Sequence, residues 1–182
     1  MEKHHETGSP KPGCLSRRSL LKGTAAASGT VLLTGVPGLQ GEALAAEMAR
    51  YPRTVVGKLG ALRTNKPVEF NYPDKKQNSD SVLVKLGTPA GGGIGPDRDV
   101  VAFNTLCTHM GGVMTQIFKP SHQVLGPCPF HQSTFDLTRH GMIVAGHATE
   151  SLPQILLELE GDSIIAVGMI GLIYGRHDNL KA

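Results

Sequence analysis

Two short segments carry the side chains most able to do chemistry: Cys107-Thr108-His109-Met110-Gly111-Gly112 and Cys128-Pro129-Phe130-His131-Gln132-Ser133. They read C-x-H, then 18 residues, then C-x-x-H, so each arm offers one thiolate and one imidazole. This set suits a two-iron, two-sulfide cluster in which one iron keeps two cysteines and the other takes two histidines. The candidate [2Fe–2S] ligands are therefore Cys107, His109, Cys128 and His131. Neutral imidazoles in place of anionic thiolates leave the cluster less negative, so it accepts an electron more readily. The chemistry implied is one-electron transfer. A Cys2His2 zinc site uses the same ligand types, but zinc modules usually keep like ligands together on one knuckle. Here each arm mixes them.

The residues around the ligands carry further expectations. Both cysteines must be thiolates to bind iron. The second nitrogen of His109 and of His131 is free to meet solvent or a partner. Reduction of the iron raises the basicity of these imidazoles, which couples the electron to a proton and makes the potential fall at alkaline pH. The Ser133 hydroxyl can donate to a cluster sulfur and raise the potential, or it can serve the backbone of its own loop. Gly111 and Gly112 allow a tight wrap, and Pro129 fixes the turn of the second arm. Met110 and Phe130 are expected to shield the cluster from water. His122, His140, His147 and His177 fall in no ligand pattern and read as surface residues.

The elements that position these loops read as strands. Candidates are 54–58, 67–71, 82–87, 99–104, 123–125, 133–136, 142–145, 155–160 and 163–167, with Gly161-Asp162 as a two-residue hairpin turn. Residues 88–97, rich in Gly and Pro, read as a flexible loop. Gly111–Thr115 offers a short turn, and no long helix is placed. The fold expected is an all-β antiparallel sandwich or barrel. Its cluster-binding loops, about residues 105 to 150, form a small subdomain inserted between outer strands.

Composition narrows the class. From Ala46 onward 13 Lys and Arg stand against 12 Asp and Glu, and no basic stripe with interleaved aromatics occurs, which argues against nucleic acid. Ser16-Arg17-Arg18-Ser19-Leu20-Leu21-Lys22, a mildly apolar stretch to Leu39 and Ala43-Leu44-Ala45 together form a twin-arginine export signal over residues 1–45. Its removal would leave a domain of residues 46–182 whose two cysteines, Cys107 and Cys128, both lie in the motif; Cys14 lies in the signal. The apolar stretch is short and broken by Gly29, Gly35, Pro37 and Gly38, so retention as a spanning anchor is the less favoured reading. Peripheral membrane association is compatible with it.

On these residues the chain resembles Rieske iron–sulfur proteins over about residues 99 to 168. Members of the cytochrome bc1 type read C-T-H-x-G-C and C-P-C-H-G-S, with a disulfide between the two additional cysteines. Gly112 and Phe130 stand at those positions here, so the resemblance implies no such staple. The tyrosine that bonds a cluster cysteine in that type falls at Phe135, which implies a lower potential. Gly146 to Pro153 resembles the family's third, cluster-covering loop. An exported, unstapled small chain with the apolar segment 168–176 is similar to the small subunit of bacterial arsenite oxidase. That resemblance implies a periplasmic location and a large partner holding molybdopterin and a [3Fe–4S] cluster. It also implies a soluble cytochrome c or copper protein as acceptor. The alternatives are a bc1-type quinol-oxidising subunit, a free periplasmic electron carrier and a zinc-stabilised binding module.

Overall fold

The computed structural model describes residues 51–181, and the expected export signal at residues 1–45 lies outside them. The described chain is all-β. Its strands are β1 (Thr54–Lys58), β2 (Val68–Asn71), β3 (Asp80–Lys85), β4 (Val100–Asn104), β5 (Phe118–Lys119), β6 (Val124–Leu125), β7 (Thr134–Asp136), β8 (Met142–Ala145), β9 (Gln154–Glu160) and β10 (Ser163–Ile170). The helical pieces among the described residues are short 3-10 turns at Leu59–Ala61 and Leu137–Arg139.

Two antiparallel sheets result. The larger runs β1-β10-β9-β4-β3-β2, and the smaller, β5-β6-β7-β8, is inserted between β4 and β9. The expected insertion is present, and it spans the residues between Asn104 and Gln154. β4 explains how it is anchored. Its sequence Val-Val-Ala-Phe-Asn is buried at every position, as befits a strand covered on both faces. Val100 and Ala102 point into one core with Leu83, Ile155, Ile164 and Met169. Val101 and Phe103 point into a second core with Met114, Leu125, Phe135, Leu137, Leu152 and both cysteines, Cys107 and Cys128. Side chains alternate along a strand, so β4 binds the outer sheet with one face and the ligand-bearing insertion with the other.

The Gly161-Asp162 hairpin forms as expected, with Glu160 paired to Ser163. The Asp162 carboxylate also accepts from Gly60 N–H at 2.8 Å. Residues 88–97 differ from their reading as a flexible loop. Ala90 N–H donates to the Arg98 carbonyl, Gly91 N–H to that of Thr138, and the Gln154 amide to the Gly91 carbonyl. The glycines serve close approach: a Cβ on Gly93 would lie 2.1 Å from the Arg98 carbonyl oxygen. β3 begins two residues before its expected start, and β5 was not foreseen.

The C-terminal segment is fastened by Arg176, which is almost wholly buried. Its guanidinium donates to both Asp74 oxygens at 3.2 and 3.1 Å, to Ser79 Oγ and to the carbonyls of Gln77 and Asn179. Burial alone would push the Asp74 carboxyl up. Hydrogen bonds from Arg176, Ser79 and the Lys76 N–H outweigh that and hold it down at about 2. A carboxyl whose folded value is depressed stabilises the fold at neutral pH and loses that contribution as pH falls through the carboxylate range toward about 2. Asp74→Asn is therefore expected to destabilise the protein by about 3 kcal/mol and to flatten its loss of stability in acid. Denaturant unfolding at neutral and acid pH checks both.

Candidate functional site

Each ligand arm is built by the same backbone pattern. In the first loop, Cys107 N–H donates to the Gly112 carbonyl at 2.9 Å, and Gly111 N–H returns to the Cys107 carbonyl at 2.8 Å. In the second, Cys128 N–H donates to the Ser133 carbonyl at 2.8 Å, and Gln132 N–H returns to the Cys128 carbonyl at 3.0 Å. The fourth residue after each cysteine is left-handed, Gly111 at φ 67° and Gln132 at φ 62°. Glycine takes this conformation freely, whereas it is uncommon for glutamine. The two loops are thus equivalent knuckles, each closing around a cysteine carbonyl and presenting sulfur inward.

The donors separate into two pairs. Cys107 and Cys128 are about 1% exposed and lie within the second core. Burial pushes the Cys107 thiol above its ordinary value and the adjacent Cys128 sulfur adds to this, while the His109 N–H and the Ser133 hydroxyl oppose it. His109 is half-buried and His131 exposed. Their rings meet edge to face with centroids 4.7 Å apart and planes at 84°. A buried thiol pair beside a solvent-reaching imidazole pair fits a cluster that takes cysteines on one iron and histidines on the other.

Ser133 is fully buried. Its Oγ accepts from the N–H groups of His147 and Ala148, both at 3.1 Å. Of the two roles expected for it, the structure shows the backbone one; the bond to a cluster sulfur stays an expectation. The third loop crosses directly over it. A Cβ on Gly146, at φ 94°, would lie 2.3 Å from Ser133 Cα and 2.4 Å from its nitrogen. The third loop also reaches the first, where Thr108 Oγ1 donates to the Glu150 carbonyl at 2.7 Å. Residues 146–153 therefore touch both ligand loops.

Met110 and Phe130 are 53% and 59% exposed, so neither is a core residue, and shielding of the cluster stays an expectation for both. Phe130 does lie against Gly112: a Cβ there would be 3.3 Å from its ring, so positions 112 and 130 face each other. Phe135 is fully buried beneath the loops, with no hydroxyl to offer. His147 was read as surface alone. It is exposed, yet its ring lies 5.8 Å from that of His109 and 6.0 Å from that of His131. No ligand spacing announces it; the glycine before it was the available signal. A cleft of about 470 Å³ runs beside the first loop, with Thr108 and Glu150 on one wall and Leu172, Tyr174 and Arg176 on the other.

A fold of this kind with this site defines an iron–sulfur electron-transfer protein, and the family comparison agrees. The family model for the Rieske [2Fe-2S] domain matches residues 53–156. The chain belongs to the Rieske family and carries a Rieske-type [2Fe–2S] cluster as an electron-transfer subunit of an oxidoreductase. It is 56% identical to iodate reductase subunit IdrB of Denitromonas iodatirespirans, over 91% of this chain and 87% of that one. It is 51% identical to the subunit of the same name from Pseudomonas sp. (strain SCT), over 89% and 83%. The soluble domain of Rieske protein II (soxF) from Sulfolobus acidocaldarius shares the fold, with a TM-score of 0.56 at 21% identity, over 65% of this chain and 78% of that one. No helix among the described residues is long and apolar enough to cross a membrane.

Two substitutions test the second layer of the site. Ser133→Ala leaves the part-buried His147 and Ala148 N–H groups without their acceptor and is expected to cost about 1 kcal/mol, with a lower reduction potential and the cluster retained; an unchanged potential in voltammetry would exclude the sulfur bond. Gly146→Ala should yield protein with much less iron per chain, read by metal analysis, since no side chain fits over Ser133.

Proposed function

We propose that Cys107 and Cys128 bind one iron of the cluster and His109 and His131 the other, and that the chain relays electrons singly for a periplasmic oxidoreductase of the iodate reductase kind. The observation that carries this reading is the 56% identity over 91% of the chain to an iodate reductase subunit. The arsenite expectation rested on the export signal, the absent staple and the apolar C-terminal segment. Likeness over nine-tenths of the chain to an iodate reductase subunit supports iodate rather than arsenite as the substrate. The direction of flow reverses with it: a reductase draws electrons inward from a soluble cytochrome c or copper protein, through this cluster, to the catalytic partner.

The catalytic partner in this proposal is a large subunit with molybdopterin and a [3Fe–4S] cluster, which travels with the export signal of residues 1–45. The outward face supports a partner of substantial size. Met110 and Phe130 flank the ligands, and Leu172 and Tyr174 stand exposed across the neighbouring cleft. The Tyr174 ring packs over Gly111, where a Cβ would lie 2.6 Å from it, so the two apolar regions are continuous. Apolar surface concentrated in this way marks an interaction site.

The complex purified from the periplasm is expected to oxidise reduced cytochrome c with iodate and to leave cytochrome c oxidised when given arsenite. Reduction of cytochrome c by arsenite would restore the oxidase reading. Cys107→Ser, His109→Ala, Cys128→Ser or His131→Ala should each abolish the cluster's EPR signal and the turnover with cytochrome c; a native signal in any of the four would remove that residue from the ligand set.

A further inference from the structure

His147 is not part of the ligand pattern, yet the fold places it against both imidazoles. Three observations fix its position. Its N–H donates to the buried Ser133 Oγ at 3.1 Å. The preceding Gly146 is pressed onto the Ser133 backbone and has no room for a side chain. Its ring Nδ1 lies 3.2 Å from the carbonyl oxygen of His131. A carbonyl accepts only, so this bond places a proton on Nδ1. The ring then lies nearly flat along His109, with planes at 29°, and edge-on to His131, at 71°.

We infer that His147 is a positioning residue for the imidazole pair: it fastens the His131 backbone from outside and packs along the ring of His109, so that one side chain sets the planes of both. The inference rests on His109 and His131 being the cluster's histidine ligands. Its physical basis is the geometry of the second knuckle. The turn that carries His131 is closed from below by the bonds of Cys128, and the next residue, Gln132, is held at positive φ. The His131 carbonyl is on the exposed side of that turn, where water would otherwise compete for it. A ring anchored through Ser133 replaces that water with a fixed donor. Groups that orient metal-bound imidazoles hold the metal more tightly and tune its electronic state.

Two variants of the exported holoprotein separate the bond from the bulk. In His147→Asn the side-chain amide N–H takes the place of Nδ1–H and keeps the donor; in His147→Leu the volume remains and the donor is lost. The Leu variant is expected to lose its cluster to an iron chelator about tenfold faster than the native protein and to show displaced g values in the reduced EPR spectrum. The Asn variant should resemble the native protein in both. Native g values and a native rate of loss in the Leu variant would overturn the inference. So would equal damage in both variants, including failure of both to retain a cluster, because the hydrogen bond is kept in one of them. A Leu variant that retains no cluster beside a near-native Asn variant would support it.

Discussion

Everything in this molecule answers to one constraint: two sulfurs must be held side by side out of water while two imidazoles on the same loops stay within its reach. A buried thiol prefers to keep its proton, and the raised Cys107 value expresses that preference. Iron has to displace it, so the loops must be arranged in advance. The repeated backbone pattern does this with a hydrogen bond on either side of each cysteine. Side-chain identity then matters only where the pattern demands it: cysteine at the start, a residue that accepts positive φ four positions on, and a small or hydroxyl residue where the loops close.

The candidate ligand set was legible in the sequence because the chemistry prescribes residue types and their spacing. The outer strands were legible too, since their alternation or unbroken apolarity records which faces are covered. The rest depended on long-range contact. Residues 88–97 have the composition of a flexible loop, yet their glycines allow the backbone to lie against Arg98 and His140, a partner choice that composition does not encode. β5 is a two-residue strand, Phe118–Lys119, too short for any period to show. The exposure of Met110 and Phe130 is not recorded in their apolarity. His147 was hidden for a similar reason: it is brought to the site by a crossing of the third loop over Ser133, far apart from both arms in the chain.

The likeness to iodate reductase subunits and the Rieske fold agree about what this chain contributes. It supplies a single redox centre and a surface, and the identity of the final substrate belongs to the partner. The same relay can serve oxidation or reduction. For this reason the motif alone does not choose between an oxidising and a reducing system, and likeness along most of the chain is what supports the iodate proposal.

The shared position of β4 has a mechanical consequence. One strand is a wall of both cores, Val100 and Ala102 on one side, Val101 and Phe103 on the other. The insertion cannot peel away without exposing the apolar face of a central strand, and the outer sheet cannot open without loosening the floor under the sulfurs. The two layers therefore open as a single cooperative unit rather than as hinged parts. In such a unit the cluster acts as a rivet whose grip extends through β4 to β9 and β10, and its loss is felt as a softening of both sheets rather than of the ligand loops alone.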